Sequence, residues 1–126
     1  GASLLLAVYG RAYLDLNREP NELDPQLMEP GEALVVSPRA AAGYGVAPRL
    51  TGDGQPLYDR PLSRSEIEAR VEQIHRPYHA ALAELMHGAR ERCGAALLID
   101  WHSMPAKATG GAKGAQVVLG DRHGSS

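Results

Sequence analysis

The sequence contains no phenylalanine and only one tryptophan, one cysteine and five tyrosines among its 126 residues. With so few aromatic side chains, a hydrophobic core has to be built mainly from Leu, Val, Ile and Ala. The single Cys93 excludes an internal disulfide and a cysteine-based zinc site. A lone cysteine is typical of a reducing compartment, so we expect a cytoplasmic protein.

Long apolar runs and a strong excess of charge are also missing. No stretch approaches the ~18 apolar residues of a membrane-spanning helix, and the apolar residues 3–8 lack the basic flank of a signal peptide. The formal net charge of −2 gives no indication of nucleic acid as a partner. The length fits one domain with a modest core, so residues 1–126 are expected to form a single domain. Because the chain starts inside one apolar run and stops after another, we expect it to be part of a larger domain.

The clearest local pattern predicts an amphipathic helix over residues 65–93. Ser65 and Glu68 have the spacing of a capping box, and Gly94 is the expected stop. Apolar residues recur every three or four positions, at Ile67, Val71, Ile74, Tyr78, Leu82, Leu85 and Ala89. Pro77 lies inside the pattern, so a kink is expected there.

Two histidines of this helix, His75 and His79, have the i, i+4 spacing that can bind a metal from one helix face. The pattern is not His-Glu-x-x-His, however, and Pro77 lies between them. Exposed or capping histidines are therefore the favoured interpretation. His87, near the helix end, is expected to act only as a favourable charge there.

Short apolar runs predict the strands of a sheet. Residues 95–99 are continuously apolar and follow a helix, which is typical of a buried strand in a parallel α/β sheet. The other strand candidates are residues 3–8, 12–18, 33–36, 44–50 and 116–119, of which residues 3–8 fit the tail of a helix equally well. In the second of these, Asp15 and Asn17 would share one face.

Polar side chains follow three of the strand candidates at their carboxyl ends, where open α/β sheets bind ligands. They are Asn17 with Arg18, Asp100 with His102 and Ser103, and Asp121 with His123. An arginine fork beside an amide donor is typical of a carboxylate receptor. Pairing of Arg18 with a nearby acid, Asp15 or Glu19, is the commoner arrangement for an arginine at such a position.

His102 directly follows a strand candidate, which would hold its imidazole rigidly as a zinc ligand. A catalytic zinc needs about three protein ligands and an open position, and the sequence offers one convincing ligand. A structural role for His102 is therefore the alternative. Asp100 is near enough in sequence to orient the second ring nitrogen, although a shared strand could keep the two side chains apart.

Four sequence motifs of this chain occur in the same order as the motifs of a known protein family. They are Asp15-Leu16-Asn17-Arg18, Arg76-Pro77-Tyr78-His79 with Leu82, Leu98-Ile99-Asp100 with His102-Ser103-Met104-Pro105, and Leu119-Gly120-Asp121-Arg122 with Gly124. In this order and spacing they resemble the N-formylglutamate amidohydrolase family. The family is similar in fold to zinc carboxypeptidases. The resemblance therefore implies a three-layer α/β/α fold, a mixed and mostly parallel sheet flanked by helices, of which this chain would hold a central part.

The resemblance also implies an activity: zinc-dependent hydrolysis of N-formyl-L-glutamate to formate and L-glutamate, as in histidine degradation. By the same resemblance His102 is a zinc ligand, and Asn17 and Arg18 hold a substrate carboxylate. Asp15, Ser103 and the turn at residues 120–122 would line the site. The family's early His-Ser-Gly segment and its late segment with a catalytic Glu do not occur in these residues. The general-base Glu is therefore expected outside this chain.

Two other functions remain open at this point. One is a related hydrolase of N-acyl amino acids or cell-wall amides, and the other is a non-catalytic fragment or binding module of the same fold. The expected partner is a small molecule with a carboxylate, with no nucleic acid and no membrane. An apolar sheet without its outer strands would expose its edges, so self-association is also expected.

Overall fold

The computed structural model describes residues 2–30, 36–103 and 116–120. The regular elements of these residues are α1 (Pro38–Ala41), α2 (Arg64–Arg70), a π-helical turn (Val71–His75) and α3 (Arg76–Cys93). The last three follow one another without a break and form one helical run. None of the helices in the described residues is long and apolar enough to cross a membrane.

The prediction of Ser65 as the cap is wrong, because the cap lies two residues earlier. Ser63 is the N-cap: its Oγ accepts the backbone N–H of Glu66 at 3.3 Å, and the Glu66 carboxylate accepts the N–H of Ser63 at 3.0 Å. Leu62 before the cap and Ile67 after it are both buried in the core. These are the positions of a hydrophobic staple, which fixes where the chain enters the helix.

Pro77 does not end the helix. Directly before it the backbone widens into the π turn, in which the N–H of Arg76 donates to the carbonyl five residues back. A proline has no N–H and its ring presses on the carbonyl four residues earlier, so a wider turn accommodates it. The irregularity expected at Pro77 thus takes the form of a π turn. The stop at Gly94 is confirmed, with φ at 75° and its N–H donating to the carbonyl of Arg90 at 2.8 Å.

A core of aliphatic side chains, as the lack of phenylalanine predicts, packs between the start of the helical run and the loops before it. Its buried members are Leu14, Leu23, Leu27, Met28, Val46, Ala47, Leu62, Ile67 and Val71. Backbone hydrogen bonds join the loops: Val46 accepts the N–H of Asp15 at 2.7 Å and donates to Glu22 at 2.8 Å. A Cβ at Gly45 would lie 2.4 Å from the carbonyl oxygen of Glu22, so only glycine fits this approach.

No paired strand occurs within residues 2–30, 36–103 and 116–120. Their two isolated bridges join Met28 to Leu62 and Leu50 to Pro56. Residues 12–18 form turns instead of the predicted strand, and the adjacent side chains of Leu14 and Asp15 are both buried. In a strand, neighbouring side chains point to opposite faces, and only one face could meet this core. Residues 44–50 run through bends, and residues 33–35 lie outside the described part.

The three most apolar runs, residues 3–8, 95–99 and 116–119, are not strands in this structure. They have no ladder partner among the described residues and are largely exposed, with Leu97 at 85% and Leu119 at 93%. A buried strand needs neighbours for its N–H and C=O groups and cover on both faces. The described residues provide neither, so the three-layer sheet remains a prediction.

Candidate functional site

Asp15 shapes the turn that presents Asn17 and Arg18. Its Oδ1 accepts the N–H of Asn17 at 3.0 Å, and its carbonyl accepts the N–H of Arg18 at 3.2 Å. A bond from an Asp side chain to the backbone two residues on is an Asx turn, which bends the chain locally. Asp15 is buried, Arg18 is partly buried and Asn17 is exposed, so the turn directs the amide outward.

Two arginines flank the Asp15 carboxylate. Nε of Arg11 donates to Oδ2 at 2.8 Å, whereas Nε of Arg18 lies 3.6 Å from the same oxygen. The longer distance is too great for a hydrogen bond, and this buried Nε has no hydrogen-bond partner within the described part of the chain. The alternative pairing of Arg18 with an acid is therefore present only as a long ion pair. Two guanidinium groups thus lie beside the Asp15 carboxylate, and the carboxylate of Glu22 is also within electrostatic range of Arg18. Arginine donors of this kind bind carboxylates.

Asn17 meets two residues that lie 83 and 85 positions later in the sequence. Its Nδ2 is 3.1 Å from Oδ2 of Asp100 and 3.0 Å from Nε2 of His102, and that Oδ2 is 2.7 Å from that Nε2. Two of the three predicted polar groups thus come together. Asp100 contacts His102 because residues 100–102 are not in a strand, which removes the geometric objection to their contact.

The contacts of Nε2 allow two tautomers of His102. A carboxylate only accepts, so Asp100 accepts an amide N–H from Asn17. Nε2 of a neutral ring either donates to Asp100 or accepts from Nδ2 of Asn17, and does not do both. In a neutral imidazole that donates from Nε2, the lone pair is on Nδ1. The His102 side chain is 41% exposed, so a ligand can reach the ring.

The cluster fits part of a zinc site. It offers one imidazole and one carboxylate, both of which zinc takes as ligands. Residues 2–30, 36–103 and 116–120 contain no group of three or more His, Cys, Asp or Glu side chains that could hold a metal. Ser103 is exposed beside His102 and forms no hydrogen bond to the described members of the cluster. The third predicted group, Asp121 with His123, lies outside the described residues.

His75 and His79 contact the turn from the helical run. Nε2 of His75 lies 2.9 Å from the carbonyl oxygen of Arg18, and Nε2 of His79 lies 2.8 Å from that of Leu16. His75 is buried and His79 is exposed. We expected His75 and His79 to be exposed or to cap the helix. His79 is exposed as expected, whereas the expectation is wrong for His75, which is buried. Sequence reasoning missed their contact with the turn, and the signal that could have indicated it is the histidine pair on one helix face around a proline.

The sequence model of the N-formylglutamate amidohydrolase family matches residues 1–126. N-formylglutamate deformylase of Pseudomonas putida is 37% identical over 106 residues, which cover 82% of this chain and 35% of that protein. The protein of the same name from Pseudomonas aeruginosa is 33% identical over 106 residues, with the same coverage.

Among solved structures, the crystal structure of N-formylglutamate amidohydrolase from Ralstonia eutropha JMP134 matches with a TM-score of 0.68 and 36% identity. The match covers 79% of this chain and 36% of that one. The chain thus spans about a third of the length of these relatives. The family suggested by the motifs around Asn17 and His102 is the family whose model matches residues 1–126. The chain therefore belongs to the N-formylglutamate amidohydrolase family.

Proposed function

We propose that this chain forms part of a zinc-dependent site that hydrolyses the amide of N-formyl-L-glutamate to formate and L-glutamate. The observation that carries the proposal is the meeting of Asn17 with Asp100 and His102, next to Arg18. The family and the names of the two Pseudomonas relatives support this substrate. Since the chain spans about a third of those relatives, the activity of the complete site is part of the proposal.

Arg18 and Asn17 are proposed to bind a carboxylate of the substrate. Arg18 approaches Asp15 only to 3.6 Å, so its guanidinium keeps donors for a bidentate contact with a ligand. Asn17 Nδ2 lies 3.0 Å from His102, so a carboxylate bound at this turn would place the rest of the ligand beside the imidazole. Fixing the substrate at one end orients its amide for reaction.

His102 is the proposed zinc ligand, in the tautomer whose Nε2–H donates to Asp100 and whose Nδ1 is left for the metal. A carboxylate that accepts the second ring N–H fixes the orientation of a ligating imidazole and raises its basicity. Zinc, when bound, lowers the pKa of its water and polarises the scissile carbonyl. We propose that Ser103 lines the same site and that a Glu outside this chain is the general base.

The same proposal places the protein in the cytoplasm, in the degradation of histidine. A small dicarboxylate substrate suits the guanidinium groups of Arg11 and Arg18 beside this turn. The exposed, free Cys93 supports a reducing compartment.

Two substitutions in the protein expressed from its natural gene separate the proposed roles. Arg18→Ala removes a charge-assisted contact and is expected to raise KM for N-formyl-L-glutamate about ten- to hundredfold, with zinc content unchanged. His102→Ala is expected to lower zinc per chain, measured by elemental analysis after dialysis, and to abolish turnover.

Arg92→Ala, at an exposed arginine in the last turn of α3, is the control and should change neither quantity. An unchanged KM in Arg18→Ala would exclude the carboxylate anchor. Equal turnover of N-acetyl-L-glutamate would favour a broader N-acyl amino acid hydrolase instead.

A further inference from the structure

The turn that carries Asn17 is held at both ends by one helix. The carbonyl oxygens of Leu16 and Arg18, on either side of Asn17, lie 2.8 Å from Nε2 of His79 and 2.9 Å from Nε2 of His75. A carbonyl oxygen only accepts, so both imidazoles donate from Nε2. These bonds link segments 57 and 63 positions apart and lie on both sides of Asn17, whose side chain reaches Asp100 and His102.

The two imidazoles are themselves fixed by packing. Their ring centroids are 4.3 Å apart with an interplanar angle of 35°, and the ring of Tyr78 meets His79 edge-on at 5.4 Å. His75 is only 7% exposed. It ends the π turn before Pro77, and π turns inside α-helices occur frequently at functional sites. Side chains locked in this way hold a neighbouring group to a narrow range of positions.

We propose that His75 and His79 are positioning residues, a histidine clamp that fixes Asn17 and Arg18 for the substrate. The proposal rests on the function proposed above for those two residues. Asp15 defines the bend of the turn through its own bonds, but these bonds are local and do not attach the turn to the helix. Without the clamp only these local bonds remain, so the turn opens more often and loses its place relative to Asp100 and His102.

Hydrogen exchange of the ¹⁵N-labelled chain tests the clamp directly. His79→Leu is expected to raise the exchange rate of the Asn17 backbone amide about five- to tenfold, because one neutral hydrogen bond is lost. His79→Gln supplies an N–H donor near the position of Nε2 and is expected to restore the rate to within about twofold of the original. His87→Leu is the matched control, since His87 is exposed on the same helix and, among the described residues, pairs with Glu91 at 3.2 Å instead of the turn.

Kinetics of the protein expressed from its natural gene give the second measurement. His79→Leu should raise KM for N-formyl-L-glutamate about five- to tenfold, with rescue by His79→Gln and a melting temperature lowered by only about 2–4 °C, because one hydrogen bond is lost at an exposed side chain. His75→Gln, which keeps a donor at the buried position, should retain the original KM.

The two measurements distinguish the failure of either proposal. If the unmodified protein does not hydrolyse N-formyl-L-glutamate, the proposed function fails and the exchange rate of Asn17 alone decides on the clamp. If His79→Leu leaves that exchange rate unchanged, or if Gln fails to restore it, the clamp is excluded whatever the activity.

Discussion

The apolar side chains of this chain fall into two groups, one buried in the core and one exposed to solvent. Leu62 and Ile67, surrounded by polar residues in the sequence, are 1% and 2% exposed, whereas Leu97 and Leu119, inside the most apolar runs, are 85% and 93% exposed. Whether a leucine is buried here depends on other segments of the chain packing against it, and not on how many apolar residues surround it in the sequence. Leu62 has such neighbours because it bridges to Met28 and precedes the cap of α2.

Polar contacts help to provide those neighbours. The side chain of Asp24 is fully buried and accepts Nε of Arg49 at 2.6 Å and the N–H of Gln26 at 2.8 Å. This pair ties together two loops that both contribute to the core. The exposed apolar runs at residues 3–8 and 116–119 have no comparable ion pair among the described residues.

The sharpest test of the comparison is a matched pair of leucine truncations. Leu62→Ala is expected to lower the free energy of unfolding by about 3 kcal/mol, since it removes buried methyl groups and leaves a cavity. Leu97→Ala removes the same atoms from an exposed position and should change it by no more than about 0.5 kcal/mol. Urea denaturation followed by circular dichroism gives both values. Similar losses in the two variants would show that residues 95–99 are packed in solution.

The second prediction concerns what the exposed runs do in solution. Burying one leucine contributes about 1.5–3 kcal/mol, so contacts between copies through residues 3–8 and 95–99 should produce concentration-dependent self-association. Replacing Leu6 and Leu97 by lysine is expected to weaken that association at least about tenfold. Sedimentation velocity over a range of concentrations measures it.

Glu84→Lys, at an exposed polar position of α3, introduces the same side chain and should leave the association unchanged. A monomer at every concentration for the unmodified chain would contradict the prediction.

The sequence predicts the elements of this fold that depend on neighbouring residues better than those that depend on residues far away in the chain. The long helix, its stop at Gly94 and an irregularity at Pro77 follow from local patterns and are present in the structure. The cap was misplaced because two overlapping Ser-x-x-Glu patterns compete, and the burial of Leu62 selects the one at Ser63. The predicted strands depend on partners elsewhere in the chain, which no local pattern supplies.

The site was predictable in its residue types but not in its contacts. Asn17, Arg18 and His102 stand out because their chemistry suits a carboxylate and a metal, and the first and last of them do meet. Their roles as ligands remain predictions. The contacts of His75 and His79 with the turn could not be derived, because they depend on the path of a loop that bends at Asp15.

The smallest expected effect concerns the cap that starts the packed helical run. Hydrogen bonds from Arg60, at 2.6 and 3.0 Å, and from the N–H of Ser63 lower the pKa of Glu66 from its ordinary 4.5 to about 2. The folded state therefore binds this proton less tightly than the unfolded state does. The stabilisation is complete above pH 4.5 and is lost as the pH falls from 4.5 towards 2.

Glu66→Gln cannot titrate and should flatten the decline of unfolding free energy between pH 4.5 and 2, while lowering stability slightly at neutral pH. Arg60→Met removes the largest cause of the lowered pKa and should flatten the same part of the profile to a smaller extent. Urea denaturation at several pH values measures both, and Leu97→Ala in the same buffers should follow the unmodified profile. A profile unaffected by Glu66→Gln would mean that the contacts of Arg60 and of the Ser63 N–H with the Glu66 carboxylate do not persist in solution. The bond from the Glu66 N–H to Oγ of Ser63 does not depend on that carboxylate, so it would then be the part of the cap that still distinguishes the packed helical run from the exposed runs.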